Sequence, residues 1–142
     1  MKPIQETVGF VLAQVGRLHR NRVGGELAAL GLHVGQEMTL LRLWTEEGQS
    51  LSDLAECADL DLSTMSKAIT RMERAGLVER RSDPEDERVW RVFLTDRGRA
   101  LQEPVAQAWD EVERHAMASL TMEERILLRR LLLQVQNNLT RR

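Results

Sequence analysis

Tyrosine is absent from this sequence, and the other aromatics are few: three Trp and two Phe. Such scarcity argues against the stacking platforms that hold single-stranded nucleic acid. A single cysteine, Cys57, excludes an intramolecular disulfide framework and fits a reducing cytoplasm. No apolar run approaches the roughly 20 residues that span a bilayer. The stretch Val8 to Ala13 is too short and too weakly flanked for a signal peptide, so the expected location is cytoplasmic, away from membrane. His19, His33 and His115 lie far apart, and neither H-x-x-x-H nor C-x-x-C occurs, so no metal site is expected. A glycine-rich phosphate loop, G-x-S-x-G and H-E-x-x-H are missing too, which argues against an enzyme or a bound cofactor.

Positive charge is also in short supply. Twenty Lys and Arg face 22 Asp and Glu, a net charge of −2, whereas a DNA-binding domain is often basic. The signs are segregated, however. Residues 63–81 hold five cations and two acids, while Asp53, Glu56, Asp59 and Asp61 cluster just before them. A local patch steers a polyanion even when the whole molecule does not.

What is present is helical periodicity around one compact unit of 142 residues. Ile4, Val8, Val11, Val15 and Leu18 alternate spacings of four and three, a seam that packs against another helix. Arg17, His19, Arg20 and Arg22 form a basic run. Gly24 and Gly25 should weaken this first helix, and Gly31 should end it. Met38, Leu41 and Trp44 mark a second helix. Ser50 with Asp53 starts a third in capping-box fashion. Beyond Thr95, a long helix from Asp96 to about Ser119 carries Leu101, Val105, Ala108, Trp109, Val112 and Ala116 as its stripe, with a bend expected at Pro104. Thr121 and Glu124 form a capping box for a last helix. That helix is apolar on more than one face, so it needs a second partner, most economically another copy of the chain.

The most informative stretch is Leu51 to Thr95. It reads as helix, tight turn, helix, then a hairpin with a polar tip from Ser82 to Arg88. In the second of these helices Met65, Ala68, Ile69 and Met72 form an inward stripe. Ser63, Thr64, Ser66, Lys67, Thr70, Arg71 and Arg74 fall on the other side, short hydroxyls among long cations. Cations reach phosphates or guanine edges, and hydroxyls bond to either, so this face suits a DNA groove. A merely solvated face is the alternative. Gly76 supplies the left-handed exit, and the return strand alternates Trp90, Val92 and Leu94 against Val89, Arg91 and Phe93. Helix-turn-helix plus hairpin is a winged helix.

The run LSTxSxxIxRMExAGLVERxxDPEDER from Leu62 to Arg88, followed by VxLTxxG, resembles the multiple-antibiotic-resistance regulator (MarR) family. The resemblance implies a mainly α fold with a small β-hairpin. A winged helix-turn-helix over residues 32–95 would sit between dimerisation helices at 1–31 and 96–142, all one interlocked domain. It implies a homodimeric regulator, most often a repressor, on a palindromic double-stranded DNA operator. Arg88 of the D-x-R pattern would enter a minor groove, with Asp86 holding the wing tip. It also implies a small aromatic or phenolic effector between the dimer helices and the winged helix, with His33, Gln36 and Trp109 as candidate lining residues. Two other readings stay open. One is a winged-helix module that binds protein rather than DNA, favoured by the net acidity. The other is a redox switch through Cys57, disfavoured by Glu56 and Asp59 beside it. Peroxide-sensing family members carry their reactive cysteine in the first helix, where this chain has none.

Overall fold

A computed structural model describes residues 1–140 of the chain. After a short 3₁₀ turn, the elements run α1 (Val8–Ala28), α2 (Gln36–Thr45), β1 (Gln49–Ser50), α3 (Leu51–Ala58) and α4 (Leu62–Arg74). They continue with β2 (Val78–Ser82), β3 (Trp90–Leu94), α5 (Asp96–Ala100), α6 (Gln102–Ala116) and α7 (Met122–Thr140). The fold is mainly helical, with one three-stranded antiparallel sheet in the order β1-β3-β2. The wing is therefore not an isolated hairpin. Gln49 pairs with Val92 and Ser50 with Arg91, so the segment before α3 becomes a third strand. Two residues without alternation left no strand signal to read.

The core gathers one side of each winged-helix element against α1 and α6. Leu27, Leu40, Leu43, Leu54, Met65, Ile69, Met72 and Leu77 are essentially solvent-free. At about 1.5–3 kcal/mol for each large side chain buried, this cluster drives the collapse. Val92 and Leu94 extend it from the return strand, but Trp90, on the same face by alternation, is exposed. It lies at the wing end of β3, opposite Ser82, beyond the reach of the core.

The expected starts are made by the expected side chains. Ser50 Oγ accepts from Asp53 N–H at 3.0 Å, and Thr95 Oγ1 accepts from Gly98 N–H at 3.1 Å. Thr121 and Glu124 exchange both bonds of a capping box, at 2.9 and 3.1 Å. Two helices differ from expectation. Gly24 and Gly25 lie inside α1 without interrupting it, because Val23 and Leu27 anchor that turn in the core. The long helix after Thr95 breaks at Leu101, three residues before Pro104, and α6 restarts at Gln102. Pro104 thus falls in a first turn, where the amide it lacks has no helical acceptor.

The stripes of the outer helices face away from the core. In α2 the buried residues are Glu37, Leu40 and Leu43, while Met38 and Leu41 are exposed and Trp44 is half-buried. Ile4, Val8, Val11, Val15 and Leu18 are all exposed, and α7 buries no residue at all. No helix among the described residues is long and apolar enough to cross a membrane.

Candidate nucleic-acid interface

The turn between α3 and α4 depends on two aspartates. Asp59 takes the left-handed conformation at φ 54° that ends α3, which a short polar side chain tolerates. Asp61 then caps α4: its Oδ1 accepts from Thr64 N–H at 2.7 Å, and its Oδ2 accepts from the Thr64 hydroxyl at 3.0 Å. These bonds, led by the Thr64 amide, hold the Asp61 carboxyl below the usual aspartate range. The sequence alone did not single out this cap, although an aspartate just ahead of a helical stripe is its ordinary signal.

Met65, Ile69 and Met72 seat α4 in the core, which leaves Ser63, Thr64, Lys67, Arg71 and Arg74 exposed along the opposite side. Among the described residues, Lys67, Arg71 and Arg74 form no ion pair, so their charge is available. Ser66 and Thr70 stand apart from this group. Both are half-buried, and the Thr70 hydroxyl donates to the Ser66 carbonyl at 3.0 Å while accepting from Arg80 at 2.8 Å. Arg80 also donates to the Ser66 carbonyl. Its Nε lies 3.1 Å from Glu73 Oε1, off the line of a hydrogen bond, so that contact is ionic. Glu73, the acid of α4, is thereby neutralised by β2, and helix and wing are strapped together.

The far end of α4 is held by α5. Gly76 turns the chain at φ 75°, and its carbonyl accepts from the Thr95 hydroxyl at 2.6 Å. Arg97 donates to the Ala75 carbonyl at 2.6 Å. Gly98 lies so close to the start of β2 that a Cβ there would sit 2.2 Å from the Leu77 carbonyl oxygen.

At the wing tip, Arg88 is almost fully exposed. Its Nε and Nη2 donate to the two oxygens of Asp86 at 3.1 and 3.3 Å, and its own amide donates to Asp86 Oδ1 at 3.1 Å. Asp86 therefore fixes both the backbone and the head group of Arg88, and these bonds lower its carboxyl pKa. A second pair lies behind it. Asp83 Oδ2 accepts from Arg91 Nε at 2.6 Å, and Arg91 Nη1 donates to the Gly48 carbonyl at 2.9 Å, tying the tip to the turn that leads into β1. Asp83 is lowered chiefly by Arg91, and Arg91 is raised by Asp83. The alternation of β3 had placed Arg91 on the opposite face, without indicating its partner. Arg81 is not free either: it lies 4.2 Å over the Phe93 ring and pairs with Glu79.

The three candidate effector residues divide between two adjoining crevices that share Met38 and Leu41. Trp109 lines the one between α1, α2 and α6, of about 630 Å³, with His19, Trp44 and Val105. His33 and Gln36 line the other, of about 640 Å³, beside α4, with Cys57 and Arg71. Gln36 uses its side-chain oxygen to accept from His33 N–H at 3.0 Å. His19 is half-buried, and its ring meets Trp109 edge-on at 5.1 Å. Arg22 pairs off with the His115 ring at 2.9 Å. Cys57 is exposed near the C-terminal end of α3. Among the described residues no group of three His, Cys, Asp or Glu is arranged to hold a metal.

Comparison with known proteins places this geometry in context. A family model described as MarR family matches residues 32–90. The transcriptional regulator TtmR of Methylorubrum extorquens is 39% identical over 87 residues, 61% of this chain but only 43% of that longer protein. The regulator YdgJ of Bacillus subtilis is 30% identical over 112 residues, covering 79% of this chain and 68% of its own. Among solved structures, one of MarR superposes with a TM-score of 0.86 at 27% identity, over 99% of this chain and 96% of that one. BpsR of Bordetella bronchiseptica, whose DNA binding is regulated by 6-hydroxynicotinic acid, gives 0.83 at 25%, over 96% and 97%. These relatives are transcription regulators, not enzymes. Motif, winged-helix geometry and full-length likeness agree, and the chain belongs to the MarR family of DNA-binding transcriptional regulators.

Proposed function

We propose that the chain binds double-stranded DNA sequence-specifically as a homodimer, on a palindromic operator whose occupancy represses transcription. The observation that carries this reading is the exposed face of α4, where Lys67, Arg71 and Arg74 stand beside Ser63 and Thr64 with no ionic partner among the described residues. Laid in a major groove, this face brings cations to phosphates and base edges, and the strap through Arg80 sets the wing at a fixed angle to it. Arg88 then reaches the adjacent minor groove, where a narrow, electronegative cleft favours a guanidinium. Ser66 and Thr70 serve this face from behind, by holding Arg80. The reader unit would be residues 32–95, and the dimerisation unit 1–31 with 96–142.

A small aromatic effector in the crevice by Trp109 completes the reading. Its walls come from α1 and α6 on the dimerisation side and from α2 on the reader side, so a guest touches both. A ligand that prefers one arrangement of the two shifts DNA affinity by that preference.

The decisive experiment retains genomic fragments on the purified protein, sequences them, and titrates the recovered site at several salt concentrations. A palindromic site bound at least about a thousandfold more tightly than random duplex is the expected result. Equal affinity for both would overturn sequence specificity. A promoter fusion then reads the sign, with repression expected.

A further inference from the structure

The crevice proposed above as the effector site has an electrostatic character that its aromatic walls do not announce. Among the described residues no lysine or arginine lines it, whereas Glu37, Asp110 and Glu113 all do. The two α6 acids follow from helical spacing: Trp109, Asp110 and Glu113 share one side of the helix at offsets of one, three and four. The neighbouring acid, Glu111, is the one that takes an arginine, Arg114. Among the described residues, Asp110 and Glu113 have no ionic partner.

Glu37 is a separate observation. It is only 3% exposed and borders the crevice. Its Oε1 accepts from Gly35 N–H at 2.6 Å, and among the described residues its Oε2 accepts no hydrogen bond. Since Oε2 is not among the fully buried atoms, it is the part of the residue that solvent still reaches, and a carboxylate oxygen open at a crevice wall accepts from a donor or draws a cation. The walls add to this. Trp44 is pinned through its indole N–H to the Gly98 carbonyl at 2.9 Å, so its ring is held in place as a wall. Trp109 stands beside it, with His19 against its edge. Indole faces attract cations and carboxylates do so further, while an aromatic carboxylate would meet three like charges.

We infer that this crevice selects a positively charged guest, an aromatic or alkyl ammonium compound, over an aromatic acid. The inference rests on the crevice being the effector site, but the two are separable by measurement. Benzyltrimethylammonium, benzyl alcohol and benzoate share one ring and differ in charge. Their affinities for the full-length protein can be read by tryptophan quenching and calorimetry, at mildly alkaline pH where imidazoles are generally neutral. Benzyltrimethylammonium should bind on the order of tenfold more tightly than benzyl alcohol, with benzoate weakest. Asp110→Asn combined with Glu113→Gln should remove most of that advantage and leave benzyl alcohol unchanged, which also reports that the crevice is intact. Both side chains lie on the surface, and the single variants serve if the pair folds poorly. Tightest binding by benzoate, no binding by any of the three, or an unchanged advantage in the variant would overturn the inference. Release of the recovered operator is measured separately. A cation that binds as expected without releasing DNA would leave the cation site standing and remove the effector reading. Release by benzoate, bound more tightly than the cation, would do the reverse.

Discussion

On the proposed reading, Arg88 and Lys67 bring the same charge to DNA from opposite settings. Among the described residues Lys67 forms no ion pair, whereas Arg88 projects from a loop holding Asp83, Glu85, Asp86 and Glu87. An acidic loop near a polyanion is repelled unless a cation leads it. Arg88→Ala should therefore weaken operator binding while leaving fold and dimer intact, with the largest effect on sites flanked by A·T pairs. Asp86→Ala should weaken binding as well, although it removes a negative charge, because it frees the Arg88 head group and amide. Tighter binding by Asp86→Ala, with no change on losing Arg88, would refute the minor-groove role. On the helix, Lys67→Ala should weaken all sequences alike and reduce the salt slope by roughly one unit. Arg71→Ala should cost about 1–3 kcal/mol and relax preference at one position. Asp83 adds a pH dependence. Its pKa is lowered by folding, so the stabilisation is present above the ordinary aspartate value and lost as pH falls through the folded one. Below about pH 4 the wing should loosen, followed by NMR of its amides and of the Arg91 Nε–H. In Asp83→Asn that step should be missing at every pH.

Between residues and molecule, the unit that matters is α4 with the two elements that clamp it. Arg80 reaches back from β2 to Ser66, Thr70 and Glu73, and α5 holds the other end through Thr95 and Arg97. Arg80→Met keeps the length and loses every one of its bonds. It should cost about 1–3 kcal/mol in urea unfolding, and lower operator affinity further by freeing the wing. Gly98→Ala tests the other clamp: with the Leu77 oxygen 2.2 Å from the new Cβ, backbone must move. A loss of about 1–3 kcal/mol or more is expected on denaturant unfolding. No loss would mean that α5 is not pressed against β2. Helix α4 and the wing were legible in sequence because strong short-range signals agree there: a period of 3.6, an exit glycine and an alternating return strand. The clamps were not, since Arg80 is one arginine among several and its partners lie 7 to 14 positions away. The same limit explains α2. Spacings of three identified a helix through Met38, Leu41 and Trp44, but a periodicity does not say whether an apolar stripe meets the core or lines a crevice.

At the scale of the whole molecule, the unused apolar surface lies at the two chain ends. Ile4, Val8, Val11, Val15 and Leu18 form an exposed row, and in α7 Ile126, Leu127, Leu131, Leu132 and Leu133 are exposed as well. Single exposed apolar side chains need no explanation, but two helices with such rows do. A second copy would bring like rows together about a two-fold axis, and permanent homodimers bury roughly 2,000–5,000 Å² in this way. It would also hold two copies of α4 about one helical turn of DNA apart, which a monomer does not do. Because α7 buries nothing in the single chain, its leucines can be changed without opening the core. Leu127→Glu with Leu131→Glu should leave the winged helix folded by NMR. It should convert the protein to monomer in sedimentation and abolish the dependence of melting temperature on protein concentration. Operator affinity should fall to the level of a single half-site, while Lys67 and Arg71 remain in place. Deleting residues 121–142 should have the same effect on assembly, with the added loss of the Arg125 bonds to the Met117 and Leu120 carbonyls. A wild-type protein that sediments as monomer yet holds a palindrome tightly would show that the apolar rows serve another partner.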